Sequence, residues 1–231
     1  MQHDQYNLLD SKLLDYLDKL GTVTSALGLS YSLIEGVGIQ AVNTEMLQMN
    51  QNKRLDEIDA VLANTYLRRT NNVDVIVFGN EDNISDLLRE MRDDKINLLL
   101  RKQKDKYKGI SEDEFHKMID TSGYLAIHSN NCSTKIHVAS PEYLVVLKLI
   151  GGEYHDRIDI NALLTLDRLI SSRISSSISS RFKREGLERK GFDFDTTEQI
   201  LKRNGKGDLV KSLNCSRRDL ENFFISGTNN K

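Results

Sequence analysis

The chain of 231 residues contains no tryptophan, one proline and two cysteines. A single proline leaves the backbone with few fixed breaks, so we expect long helices and few rigid turns. Cys132 and Cys215 lie far apart and do not have the spacing of metal ligands. Reduced thiols are the simplest interpretation, and they favour a cytoplasmic protein over a disulfide-stabilised secreted one.

Long apolar runs and an excess of charge of one sign are also missing. No apolar stretch reaches the roughly 20 residues that a membrane helix needs. The first residues, 1–4, lack the basic and apolar regions of a signal peptide. The 32 Lys and Arg residues nearly balance 34 Asp and Glu, which leaves a net charge of −2. We therefore expect no membrane partner and no overall field that draws the chain to nucleic acid.

Residues 67–79, LRRTNNVDVIVFG, change from polar and basic to β-branched and apolar, and end in glycine. This pattern predicts a loop that enters a buried strand. Because side chains alternate between the two faces of a strand, Asp74 shares its face with Asn72 and not with the neighbouring valines. A carboxylate inside a core strand is costly unless it is paired or binds a cation. The open alternatives are an Asp that bonds a neighbouring turn and an Asp that binds metal.

Two further segments carry candidate functional residues. Residues 31–42, YSLIEGVGIQAV, predict a short strand, a glycine turn and a helix. Such a turn lets a phosphate approach the backbone, and a helix N-terminus offers it free N–H groups. In residues 139–160, Ser140 and Pro141 predict a helix start and Gly151-Gly152 its end. Lys148 either reaches a pocket or is a solvated lysine with its stem on the core.

Together these segments resemble the nucleotidyltransferase superfamily, which has the DNA-polymerase-β-like fold, and most closely its AbiEii-type branch from bacterial toxin–antitoxin and phage-defence systems. The resemblance covers roughly residues 30–165 and rests on the order and spacing of the motifs. The positions that match the family motifs are Arg68, Thr70, Asp74, Ser140, Pro141, Glu142, Leu144, Lys148, Asp156 and Asp159.

Two positions depart from the family pattern. Asn72 stands where the family has the first aspartate of its metal-binding pair, and Glu35 stands where it has the first of two glycines. We also find no clear third carboxylate on the strands that follow. Asparagine is a poorer ligand for Mg²⁺ than a carboxylate, so these departures weaken the expected metal affinity.

The resemblance implies an α+β fold, with a small mixed nucleotidyltransferase sheet packed with helices in residues 1–165 and a C-terminal helical region in residues 166–231. It implies that Mg²⁺ or Mn²⁺ and a nucleoside triphosphate bind, and that a nucleotide monophosphate is transferred to an RNA or protein acceptor. A toxin–antitoxin partner protein is a further expectation. The alternative is a catalytically degenerate binding protein that acts through a protein or nucleic-acid partner. The implied site residues are Asp74, Lys148 and Asp156 for catalysis, Gly36, Gly38, Arg68 and Thr70 for the nucleotide, and Asp74 with Asn72 for the metal.

Local patterns predict the remaining elements. Apolar spacing predicts a first helix over residues 5–20, ended by Gly21, and a helix over residues 84–100. The basic residues 101–108 are interpreted as the solvated end of that helix, with phosphate or RNA contact as the alternative. The other predicted elements are helices within residues 37–66, a helix capped by Ser111, a hairpin of residues 124–128 and 135–138, a helix over residues 161–182, a helix opened by Thr196 or Thr197, and a last helix over residues 216–224.

Overall fold

The structure, a computed structural model, describes residues 9–49, 72–93, 95–102, 107–128, 133–171 and 192–228. Within these ranges, helices surround one five-stranded sheet of order β3-β2-β1-β5-β4. β1 lies at its centre, antiparallel to β2 and parallel to β5. The mixed sheet and its helices confirm the predicted α+β fold. The strands are β1 Ser30–Leu33, β2 Asn72–Phe78, β3 Asn97–Lys102, β4 Gly123–His128 and β5 Ser133–Val138.

The helices of the described residues cover the sheet and continue beyond it towards the C-terminus. None of them is long and apolar enough to span a membrane. Two short 3₁₀ turns, Tyr107–Gly109 and Gly207–Leu209, accompany them. The helices are α1 Ser11–Ala26, α2 Glu35–Met49, α3 Glu81–Glu90, α4 Glu112–Asp120, α5 Pro141–Gly151, α6 Tyr154–Ser171, α7 Phe194–Arg203 and α8 Val210–Thr228.

The first helix does not end at Gly21 as predicted, but continues to Ala26. A glycine inside a helix costs only about 1 kcal/mol relative to alanine, and here the helix is held by burial of its leucine face. Gly21 lies where the helix passes close to the sheet, because an added Cβ would lie 3.4 Å from the Tyr31 hydroxyl. Packing therefore outweighs the local preference to stop.

The buried strand predicted within residues 67–79 is confirmed. β2 begins at Asn72, and Val73, Val75 and Val77 are fully buried on one face. Asp74 lies on the other face, half-buried. The predicted loop before the strand lies outside the described residues. The predicted hairpin is also confirmed, since β4 and β5 pair antiparallel over their full length.

The helix predicted over residues 84–100 is wrong in its second half. Asn80 caps a helix that begins at Glu81 and ends at Glu90. Asp93 then accepts hydrogen bonds from the backbone N–H groups of residues 95 and 96, which turns the chain back. Residues 97–102 form β3, parallel to β2 at the edge of the sheet. The start of the basic run is therefore a strand and not a helix end.

The later helices confirm most predictions and shift several boundaries. α5 starts at Pro141 after Ser140, although the Ser140 side chain makes no cap hydrogen bond, and Gly152 ends it in a left-handed conformation. α7 starts at Phe194, capped by Asp193 and not by Thr196 or Thr197. α8 begins at Val210, six residues before the predicted start. The helix predicted to residue 182 is described as far as Ser171.

The C-terminal helices pack against the preceding ones, α7 on α5 and α8 on α6. Ile200, Leu201 and Leu213 join the main hydrophobic core. Residue 165 lies inside α6, and the division of the chain into residues 1–165 and 166–231 stays a prediction.

Candidate functional site

A polar cavity of about 250 Å³ opens where β1 ends and α2 begins. Five of the eight predicted site residues line it: Gly36, Asn72, Asp74, Lys148 and Asp156. Arg68 and Thr70 lie outside the described residues. Gly38 lies outside the cavity. The other lining residues are Glu35, Gln40, Leu99, Arg101, Tyr107, Lys108, Gly151, Glu153, His155 and Asp159.

Asp74, the third residue of β2, forms one wall of the cavity. Its Oδ1 lies 3.1 Å from Nη2 of Arg101 on β3. Burial raises the pKa of Asp74, and the Arg101 guanidinium only partly opposes that rise. Asn72, two residues earlier on the same face, accepts a hydrogen bond of 3.2 Å from the Asn97 amide.

Lys148 lies opposite, on the last turn of α5, with only 4% of its side chain exposed. Its Nζ lies 2.7 Å from Asp156 Oδ1, 2.9 Å from Asp159 Oδ2 and 3.5 Å from Glu35 Oε2. Burial would lower the pKa of Lys148, but these carboxylates outweigh it and raise the pKa above its ordinary value. Lys148 is thus a buried cation, and the alternative of a solvated lysine is excluded.

The reversal between α5 and α6 brings these charges together. Gly152, with φ of 71°, ends α5, and α6 starts two residues later. Asp156 and Asp159 therefore lie on the first turns of α6, on the same face as predicted, and both reach back to Lys148. Asp156 also accepts a hydrogen bond from the Glu153 N–H, which fixes the start of the helix.

Glu35 makes the turn at the position where the family motif has its first glycine. It adopts a left-handed conformation, with φ of 56°, as the first residue of α2, just after β1 ends. Its Oε1 accepts a 2.6 Å hydrogen bond from the Tyr107 hydroxyl and forms an ion pair with Lys108. Burial would raise the pKa of Glu35, but Lys108, Tyr107 and Lys148 together lower it.

The two predicted nucleotide-binding glycines occupy different surroundings. Gly36 lines the cavity in the first turn of α2. Gly38 instead lets α2 pack closely, because an added Cβ would lie 2.9 Å from Leu144 Cδ2 and 3.2 Å from the Leu33 carbonyl oxygen. A direct role for Gly38 in nucleotide binding stays a prediction.

Arg101, Tyr107 and Lys108 are among the cavity residues that were missed as individual candidates. They belong to the basic run that was interpreted as a solvated helix end. The Arg101 guanidinium lies over the Tyr107 ring, 4.4 Å from its centroid. Lys108 also donates a 3.1 Å hydrogen bond to the Leu147 carbonyl. The sequence carries a usable signal for a turn here, since Lys108 precedes a glycine, but nothing local shows where that turn packs.

The cavity carries more negative than positive charge. Its lining contains five carboxylates, from Glu35, Asp74, Glu153, Asp156 and Asp159, against three cationic side chains, from Arg101, Lys108 and Lys148. Each cationic group contacts at least one of these carboxylates. Such a cavity attracts cations, and it favours an anion that arrives with its own counterion over one that arrives alone.

The described residues do not fit a resident two-metal centre. Among them, no group of three or more His, Cys, Asp or Glu side chains is arranged to hold a metal ion. Asp74 is engaged with Arg101, and Asn72 brings a neutral oxygen that already accepts a hydrogen bond. Metal binding by Asp74 and Asn72 therefore stays a prediction.

Comparisons with known proteins give no family for this chain: no protein-family profile matches the sequence, and a search of curated proteins finds no match. Functional inference accordingly rests on the residues of the cavity.

Proposed function

We propose that this cavity binds a nucleoside triphosphate together with Mg²⁺ or Mn²⁺, so that the chain is a nucleotide-binding protein with the nucleotidyltransferase fold. The observation that carries the proposal is the convergence of Asp74, Lys148 and Asp156 on one cavity from two segments that lie far apart in the sequence. Gly36 supports it, because it places the N-terminal turn of α2 at the same cavity, and helix N-termini attract phosphate.

The charge of the cavity determines how the ligand enters. A triphosphate alone would meet an excess of carboxylates, whereas its complex with a divalent cation is far less repelled. The metal therefore belongs to the ligand, and the Asp74 carboxylate lines the cavity that the complex enters. Lys148 holds Asp156 and Asp159 in place, so both carboxylates are already ordered when the ligand arrives.

A second candidate is transfer of a nucleotide monophosphate to an RNA or protein acceptor, as in toxin–antitoxin and phage-defence enzymes of this superfamily. The pKa of Asp74 favours it, because burial raises that pKa and makes the carboxylate a better proton acceptor. An acceptor hydroxyl would attack the α-phosphorus and lose its proton to Asp74. The bond from the α-phosphorus to the bridging oxygen would break, and pyrophosphate would leave.

Calorimetric titration of the four nucleoside triphosphates, with no metal, Mg²⁺ or Mn²⁺, tests the first proposal. We expect binding only with metal, weakened at least about tenfold by Asp74→Ala, because the carboxylate that faces the ligand is lost. The matched control is Asp113→Ala, an exposed aspartate on α4 outside the cavity, which should leave binding unchanged. Absence of binding by the wild-type chain with either metal would overturn the proposal.

The second candidate needs a separate measurement. Labelled triphosphates are incubated with the protein and with cellular RNA, and label that becomes covalently attached is quantified. Transfer predicts metal-dependent labelling that Asp74→Asn abolishes even at nucleotide concentrations that saturate the weakened site. Binding without any labelling of RNA or protein would leave the protein a binding protein.

A further inference from the structure

Three hydrogen-bond donors in the cavity converge on a single carboxylate, that of Glu35. The Tyr107 hydroxyl and Lys108 Nζ bind its Oε1, and Lys148 Nζ lies 3.5 Å from its Oε2. Two ammonium groups and a hydroxyl around one anion are also the donors that bind a phosphate oxygen. In this structure the protein supplies that anion itself.

Two of the residues in this arrangement have a strained backbone conformation. Glu35 and Lys108 are the only non-glycine residues with positive φ in the described part of the chain, at 56° and 53°. The left-handed conformation is unfavourable for a non-glycine residue, because its Cβ comes too close to the following carbonyl oxygen. These two strained residues form an ion pair with each other. Such conformations persist only where the surrounding structure fixes them, often at ligand sites.

We propose that Tyr107, Lys108 and Lys148 form an oxyanion site that the Glu35 carboxylate fills, and that a polyphosphate binds by displacing this carboxylate. The inference rests on the proposed function for the nature of its ligand. It assigns Glu35 a specificity-determining role, since an oxyanion must compete with a tethered carboxylate for the same donors. A polyphosphate without metal also meets the other carboxylates of the cavity, so the wild-type chain should bind it weakly.

The three donors respond differently when Glu35 moves away. Lys148 keeps its contacts to Asp156 and Asp159, so its charge stays largely compensated. Lys108 keeps its hydrogen bond to the Leu147 carbonyl and its position over the Tyr107 ring, but loses its carboxylate partner, and becomes the main cation for a ligand. Burial raises the pKa of Tyr107, so its hydroxyl stays a donor at neutral pH.

Tripolyphosphate without metal is the probe that tests this inference. We expect Glu35→Gln to bind it at least about tenfold more tightly than the wild-type chain does, because the competing carboxylate is gone. The control is Glu153→Gln, which removes the same charge from the same cavity but frees no lysine, since Glu153 contacts His155. It should change the affinity less than about threefold. Adding Lys108→Met to Glu35→Gln should cancel the gain.

Equal gains in Glu35→Gln and Glu153→Gln would reduce the effect to net charge and overturn the inference, as would no gain in Glu35→Gln. Glu35→Gly is a second variant that relieves the backbone strain and carries the same expectation should the glutamine variant fail to fold. Failure of the proposed function is distinguishable. If the proposed function fails, the wild-type chain does not bind a metal–triphosphate complex. If this inference fails, the Glu35 variants do not bind tripolyphosphate more tightly than the wild-type chain does.

Discussion

Lys148 shows how single residues of this cavity depend on one another. The side chain is almost wholly buried and charged, and three carboxylates from α2 and α6 surround its Nζ. A buried ion pair contributes little net stability compared with apolar residues, but removal of one partner leaves the other charges buried without compensation. The lysine is thus a structural requirement of the site, whatever it does to a ligand.

Lys148→Met should lower the free energy of unfolding by about 3–5 kcal/mol, because Asp156 and Asp159 lose their cation. Urea unfolding at neutral pH measures this. The control is Lys202→Met, which breaks an exposed ion pair to Glu198 and should cost at most about 0.5 kcal/mol. Adding Asp156→Asn and Asp159→Asn to Lys148→Met should restore part of the loss. Equal losses in the two lysine variants would contradict the buried network.

Among the secondary-structure elements, three helices are connected by one side chain, that of Glu114. The sequence predicts Ser111 as the cap of α4, and the Ser111 hydroxyl does accept a hydrogen bond from the Glu114 N–H. The Glu114 carboxylate points instead to other helices, accepting 2.7 and 2.8 Å hydrogen bonds from Tyr143 on α5 and Arg203 on α7. Burial would raise the pKa of Glu114, but these partners outweigh it and lower the pKa.

The lowered pKa of Glu114 determines the direction in which the stability of the chain changes with pH. The stability from Glu114 is fully present above the ordinary glutamate pKa of about 4.3 and is lost as the pH falls through the lower pKa of the folded state. Glu114→Gln should therefore destabilise the chain by about 1.5–3 kcal/mol at pH 7, and the difference from wild type should shrink below about pH 4. Urea unfolding across this pH range measures both quantities.

Glu112→Gln serves as the control for this experiment, since Glu112 is exposed on the same helix. It should change the free energy of unfolding by no more than a few tenths of a kcal/mol. A Glu114→Gln difference that stays constant as the pH falls would show that the carboxylate charge does not hold the three helices together.

In the molecule as a whole, the C-terminal helices pack into the same hydrophobic core as the sheet. Asp167 on α6 accepts a 2.6 Å hydrogen bond from the Phe192 N–H, and Glu142 on α5 accepts one of 3.2 Å from the Asp193 N–H. Ile200, Leu201 and Leu213 are buried in the same core as the sheet residues. Cooperative folding of the described elements follows from this arrangement.

A chain that ends at residue 191 should not fold cooperatively. It lacks the buried aliphatic side chains of Ile200, Leu201, Leu213 and Leu220. Each is worth about 1.5–3 kcal/mol, and domains have only about 5–15 kcal/mol of stability in total. Circular dichroism during thermal unfolding measures the transition. A chain that ends at residue 228 should keep the wild-type transition. Native-like melting of the chain that ends at residue 191 would instead support an independent C-terminal region.

Local sequence rules determined much of this fold. β2 follows from the alternation around Asp74, α5 from Ser140-Pro141 and its glycine end, and the hairpin from two short apolar runs. These signals act within a few residues, so propensity and side-chain period suffice to read them. The motifs also indicated that Asp74, Lys148 and Asp156 belong to one site, and the structure places all three in one cavity.

The tertiary structure alone decided the edge of the sheet and the charge pairing of the cavity. β3 exists because it pairs with β2, and its leucine run fits a helix equally well when read locally. Arg101 enters the cavity because β3 places it beside Asp74, whereas Tyr107 and Lys108 enter it from a separate turn that packs against Glu35. The left-handed Glu35 likewise depends on partners more than 70 residues away. Long-range contacts of this kind depend on which elements meet, and no local pattern in the sequence encodes that.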